Sequence, residues 1–283
     1  MTSRMLVGVG FSLLVAGIAF AVPPAPGQHF DCSDGGDTSC AADDTGCVSN
    51  TYPHHQCSRA IFETLAKAYK AGISCHVTQA NMRFKGASET GAGQAEENCE
   101  ENSGNSAKGK LESRLADLEA AGFCDPIQLA NATAQGAELF GTGANSLDAR
   151  NVDFFCDSSS GVLIGPDDSG WVPNDDGARK CSVRVAREIA QLRTRVMKCH
   201  DNMNKKFFRH GDDFDEEACE EGDPWIGSSA LLKFNAVRDR LAKMGSCPPC
   251  LNSAALDAMA AAVIAELDAD NELIYPCTLA PAP

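Results

Sequence analysis

The apolar positions of the chain form helical stripes, and the longest stripe occurs twice. Cys57, Ile61, Leu65, Ala68, Gly72 and Cys75 follow one another at three- and four-residue steps, and Cys181, Val185, Ile189, Leu192, Val196 and Cys199 repeat the series. A helix turns about 100° per residue, so the 18 residues between the two cysteines of each stripe return both sulfurs to one face. A histidine follows at once in each copy, His76 and His200.

Further stripes predict two more helices in each half of the chain. Leu111, Leu115 and Leu118 mark one over about residues 110–121, and Leu231, Phe234, Val237 and Leu241 mark its counterpart over about 228–244. Gly122 and Gly245 stand where a left-handed cap is expected. Ala-rich segments over about 125–140 and 253–267 predict a third helix in each half. Gly161-Val162-Leu163-Ile164 is too short to nucleate a sheet. Residues 86–93 and 102–109, rich in Gly, Ser and Asn, read as irregular connections. The expected class is all-α: two tandem disulfide-clasped helical units, three helices each, with long irregular acidic loops.

A shift of 124 residues lays Cys32 on Cys156, Cys57 on Cys181 and Cys75 on Cys199. It also lays Asp43-Asp44-Thr45-Gly46 on Asp167-Asp168-Ser169-Gly170. With a few residues of slip, Glu96-Glu97-Asn98-Cys99-Glu100-Glu101 matches Glu216-Glu217-Ala218-Cys219-Glu220-Glu221, and Leu147-Asp148-Ala149 matches Leu267-Asp268-Ala269. The organisation read from these marks is a signal peptide over 1–21, a tail over 22–31, helical repeats over 32–155 and 156–277, and a C-terminal tail over 278–283.

Composition changes the picture in two ways. Residues 1–21 combine Arg4, an apolar run over 5–20 and the small-x-small site Ala19-Phe20-Ala21, which predicts export. That run is shorter than the roughly 20 residues that span a bilayer, so no membrane span is expected after cleavage. All 14 cysteines lie beyond it, an even number that predicts seven disulfides in an oxidising compartment, secreted or periplasmic. The net charge of −15 disfavours nucleic acid as a partner and leaves divalent cations as ligands.

An antiparallel hairpin joins the start of its first helix to the end of its second, which pairs Cys57 with Cys124 and Cys181 with Cys247. The other hairpin end pairs Cys75 with Cys99 and Cys199 with Cys219. Cys40 and Cys47 are replaced together by Ile164 and Trp171 in the second half, which predicts that they bond each other. Cys250 is then left for Cys277, and Cys32 for Cys156.

If Cys75 bonds Cys99, His76 comes near Glu96, Glu97 and Glu100; if Cys199 bonds Cys219, His200 comes near Glu216, Glu217 and Glu220. An imidazole among carboxylates suits Zn²⁺ or Mn²⁺ better than Ca²⁺. The competing reading makes each histidine a helix-terminal residue favoured by the macrodipole and the glutamates a solvated acidic turn. The acidic loops over 31–44 and 167–176 and the Leu-Asp-Ala turns lack EF-hand spacing and read as flexible linker. Cys247-Pro248-Pro249-Cys250 has the spacing of a thiol oxidoreductase, but no βαβ pattern surrounds it, and a structural role is expected. Asn131-Ala132-Thr133 is a glycosylation acceptor sequence.

Lys198-Cys199-His200, Phe214-Asp215-Glu216-Glu217-Ala218-Cys219-Glu220, Cys247-Pro248-Pro249-Cys250-Leu251 and Asn271-Glu272-Leu273-Ile274-Tyr275-Pro276-Cys277 resemble a class of exported, cysteine-rich tandem-repeat proteins of bacteria. The resemblance implies repetition and export, and it brings no activity with it. The leading expectation is a non-enzymatic exported binding or structural module with a protein or cell-surface partner, two similar surfaces suiting avidity. No resident cofactor is expected from the sequence; a divalent-metal-binding protein using the His and Glu clusters is the first alternative. A secreted enzyme is the second.

Overall fold

In the computed structural model of the protein, the described residues are 45–210, 214–222 and 228–277. The segment expected to be a signal peptide, Cys32, Cys40 and the C-terminal tail lie outside them. The elements in chain order are α1 (Tyr52–Phe84), α2 (Glu89–Glu100), α3 (Ala107–Ala121), α4 (Pro126–Leu139), α5 (Leu147–Arg150), β1 (Val162–Leu163), β2 (Trp171–Val172), α6 (Asp176–His210), α7 (Ala230–Met244), α8 (Ser253–Ala269) and α9 (Asn271–Ile274). A turn of π-helix, Ala218–Gly222, stands between α6 and α7.

The two long stripes become α1 and α6. Thr51 caps α1 by accepting from the His54 backbone N–H, with Pro53 in the first turn. Asp175 Oδ1 accepts from the Ala178 N–H at the start of α6, 2.8 Å away. Three contacts set these helices antiparallel. Ser49 N donates to Asn204 Oδ1 (2.9 Å), Arg193 lies over the Tyr69 ring (4.9 Å), and the Arg179 guanidinium donates to Asn81 Oδ1. The stripe residues Ile61, Leu65, Ile189, Leu192 and Val196 are all buried in one continuous core. At mid-length, Glu266 accepts from Arg193 (2.5 Å) and from Arg150 (2.6 Å), tying α8 and the end of α5 to the Tyr69–Arg193 stack.

The shorter helices pack on this pair. Gly122 and Gly245 end α3 and α7 with φ of 71° and 64°, the left-handed caps read from the sequence. Asp125 and Gln128 form a capping box on α4. Several expectations are corrected. Residues 89–93 and 107–109 are helical, because Ser88 and Ser106 serve as N-caps and recruit them into α2 and α3. Val162–Leu163 pairs antiparallel with Trp171–Val172, so the short apolar run does form a strand; its partner is supplied by the other arm of the acidic loop. Asn131 donates to the Leu273 carbonyl (3.2 Å), so its amide is engaged within the fold rather than presented for glycosylation.

Six disulfides are present among the described residues. Cys57–Cys124, Cys75–Cys99, Cys181–Cys247 and Cys199–Cys219 join helix ends as the hairpin argument expects. The remaining pairings differ. Cys47 bonds Cys277, not Cys40, and Cys250 bonds Cys156, not Cys277; Cys156 therefore does not take Cys32. The physical reason lies in the backbone path: Cys47 N donates to the Tyr275 carbonyl (2.9 Å), which lays the start of the described chain along its end. Loss of the Cys and Cys pair at Ile164 and Trp171 thus reflected no local bond. The Cys247-x-x-Cys250 spacing is structural, each sulfur being held by a distant partner. No described helix is long and apolar enough to cross a membrane.

Candidate metal centres

His76 lies seven residues beyond Tyr69 on α1 and His200 seven beyond Arg193 on α6. Since the helices are antiparallel about that stack, the two histidines lie toward opposite ends of the pair, roughly 20 Å apart at 1.5 Å per residue. Each is almost wholly buried, with 1% and 2% exposure.

Around His76, α2 supplies Glu96 and Glu100, α5 supplies Asp148, and the loop between β1 and β2 supplies Asp168. Nε2 is 2.9 Å from Glu100 Oε2 and 3.7 Å from Asp148 Oδ1. Nδ1 is 3.0 Å from Asp168 Oδ1 and 3.8 Å from Glu96 Oε1. The Cys75–Cys99 bridge holds α2 against α1, and the four-residue step from Glu96 to Glu100 turns both carboxylates to one face. Gly72, one turn before His76, lets α5 approach: a Cβ there would collide with Leu147 Cδ1. Gly72→Ala is expected to cost about 1–3 kcal/mol by overpacking this contact, read as a lowered denaturation midpoint.

Around His200, Nε2 is 2.7 Å from Glu216 Oε1, 3.0 Å from Glu220 Oε1 and 3.6 Å from Asp268 Oδ1. The π-helical turn carries Glu220, the Cys199–Cys219 bridge holds it to α6, and Asp268 comes from α8.

Electrostatics show how unusual these clusters are in a metal-free protein. Burial would lower the His76 pKa, but Asp168, Glu100 and Glu96 outweigh it and raise it well above the ordinary imidazole value. The same contest raises His200, where Glu216 and Asp268 prevail over burial. Burial, reinforced by Glu100, pushes Glu96 up to about 10. Burial also pushes Asp148 up to about 7, again with Glu100, and Glu216 up to about 7. Burial thus makes Glu96, Asp148 and Glu216 hold protons well above the usual carboxylate range, because like charges crowd in one dry site.

The contacts are short, yet their angles are poor for hydrogen bonds. Neither ring nitrogen of His76 makes one, and neither do Glu96 Oε1, Glu100 Oε2, Asp168 Oδ1, Glu216 Oε1, Glu220 Oε1 or Asp268 Oδ1. Buried polar atoms are normally satisfied, so such a set needs an explanation. An ion shared at Nε2 supplies one for that edge of each ring, with Glu100 at His76 and with Glu216, Glu220 and Asp268 at His200. Donors about 2.1 Å from a common cation stand about 3.0 Å apart at a right angle and about 3.4 Å apart at the tetrahedral angle, and they lie off the N–H axis. The Nε2 distances bracket those values. The donor atoms of His76, Glu96, Glu100 and Asp148 all fall within 4.8 Å of one another, as do those of His200, Glu216 and Glu220.

Of the residues expected from sequence, the structure brings together His76, Glu96 and Glu100, and His200, Glu216 and Glu220. Glu97 and Glu217 are not in these groups. They sit one position off the inward face, Glu97 accepting from the Asn102 amide (3.1 Å) and Glu217 exposed. Asp148, Asp168 and Asp268 were missed as members. The aligned Leu-Asp-Ala turns and the Asp-Asp-Ser loop carried the signal, but their composition matched a solvated turn. Asp44, aligned with Asp168, lies outside the described residues.

No protein-family model matches the chain, and no match was found among curated proteins or solved structures.

Proposed function

We propose that this is an exported divalent-metal-binding protein, built from two related helical units that each carry one buried histidine–carboxylate centre. The observation that carries the reading is His76: an almost fully buried imidazole, both nitrogens close to carboxylate oxygens, with no hydrogen bond to any of them. Nitrogen and carboxylate donors favour a first-row ion such as Zn²⁺ or Mn²⁺ over Ca²⁺, and among the described residues every cysteine is bridged, leaving no thiolate to draw a softer ion. Six disulfides support the export reading, since such bonds persist in oxidising compartments.

The expectation of a non-enzymatic module is kept in this form, with the cation as the ligand. Equilibrium dialysis of the oxidised protein against Zn²⁺ and Mn²⁺, followed by elemental analysis, tests it. Two ions per chain are expected for the native sequence and one each for His76→Ala and His200→Ala. Equal metal content in all three proteins would reject the proposal.

A further inference from the structure

The acidic loop between β1 and β2 is fastened to the His76 centre at three points. Ser169 Oγ donates to the carbonyls of Asp148 (2.7 Å) and Ala149 (2.6 Å), and Ser169 N donates to the Asp148 carbonyl (3.0 Å). The loop thereby grips the turn that bears one candidate ligand. The Asp168 side chain is 0% exposed and places Oδ1 3.0 Å from His76 Nδ1. Its other oxygen accepts from Gln79, itself buried on α1 one turn after His76. Space is as constrained as bonding: a Cβ at Gly165 would run into the Asp168 carboxylate and the Gln79 amide.

We propose that Asp168 is a positioning residue of the His76 centre, and that an ion bound there locks the later half of the chain onto the earlier half. Its Oδ1, 3.0 Å from Nδ1, backs that edge of the ring and turns Nε2 toward Glu100 and Asp148. The Nε2 lone pair is then left to the ion shared with Glu100 and Asp148, the arrangement by which an outer carboxylate orients a ligating imidazole. The inference rests on the metal-binding reading. His76, Glu96, Glu100 and Asp148 precede residue 156 and Asp168 follows it, so only the folded whole assembles the set. A ligand that binds the assembled state stabilises it by mass action, so ion occupancy and loop docking rise together. Thr45 makes the same grip elsewhere: its Oγ1 donates to the carbonyls of Asp268 (2.9 Å) and Ala269 (2.7 Å), beside the His200 centre.

The test uses the full oxidised chain in a His200→Ala background, so that a single centre is read, with Zn²⁺ as the probe. Asp168→Asn removes the charge and keeps the shape. Gly165→Ala displaces the carboxylate without altering any ligand. Both should weaken zinc binding roughly 10–100-fold while stoichiometry stays at one. Amide exchange over residues 164–170 should slow when zinc is added to the parent and respond less in both variants. The parent measurement needs no loop variant, so misfolding of either variant leaves it decisive. Zinc affinity within twofold of the parent in Asp168→Asn, or exchange over 164–170 that ignores zinc in the parent, overturns the inference. A parent that binds no zinc sinks the metal-binding reading itself, a distinguishable result.

Discussion

Thiol reduction under otherwise native conditions should unfold this protein completely. Six bridges are closed among the described residues, spanning separations from 20 to 230 residues. Each typically contributes ~2–4 kcal/mol, chiefly by restricting the unfolded chain. Even the lower figure, applied to all six, is comparable to the ~5–15 kcal/mol that stabilises an ordinary domain. The aromatic share is 6%, and alanines such as Ala68, Ala80, Ala132 and Ala260 take core positions beside larger residues such as Phe155 and Leu192, so packing compensates only in part. Far-ultraviolet circular dichroism should lose its helical signal on reduction, with recovery after reoxidation. The Cys47–Cys277 bridge closes the longest loop, and Cys47→Ser with Cys277→Ser should alone cost about 5 kcal/mol on the chain-entropy account. Helical signal unchanged in the fully reduced protein would show that packing suffices.

Freed of metal, the protein should lose stability as pH rises from about 5 to 8, whereas with Zn²⁺ it should gain. Unfolded carboxylates titrate near 4, but burial and neighbouring carboxylates push Asp148 and Glu216 up to about 7. Between those limits the folded chain holds protons that the unfolded chain releases, so stability declines with pH. The histidines act in the same direction. Their folded pKa values are raised, so the stability they contribute is complete below about 6.5 and is lost as pH climbs through the folded value. A cation competes with these protons and binds more tightly as they leave. The melting-temperature rise on adding zinc should therefore be slight at pH 5 and largest near pH 8. Calorimetry in buffers of different ionisation enthalpy should count protons released on binding. A metal-free midpoint that rises with pH, or a zinc shift insensitive to pH, would contradict this assignment of the buried groups.

The helices were legible because their stripes are regular: Ile61 to Cys75 and Val185 to Cys199 give period, face and clasp at once. Four disulfides followed because hairpin geometry is local. The remaining bridges were not legible, since Cys47 meets Cys277 only through the backbone pairing at Tyr275, a contact between chain regions 228 residues apart. Elimination then carried that error on to Cys250 and Cys156. The centres were half legible for the same reason. Glu96 and Glu100 reach His76 through a neighbouring disulfide, whereas Asp148 and Asp168 arrive from segments whose sequence is that of ordinary turns. Ser169 shows why composition misled there: in the Asp-Asp-Ser-Gly run it is a fastening residue, bonded to two carbonyls of another segment. The strand at Val162–Leu163 was missed likewise, because a two-residue strand depends on its partner and not on its own propensity.

The most direct measurement is anomalous diffraction at the zinc edge from crystals of the oxidised protein equilibrated with zinc. The account predicts one peak about 2.1 Å from His76 Nε2 with oxygens of Glu100 and Asp148 around it, and a second beside His200 Nε2 among Glu216, Glu220 and Asp268. Density showing protonated carboxyl groups hydrogen-bonded to the two imidazoles, with no anomalous signal at either position, would contradict it.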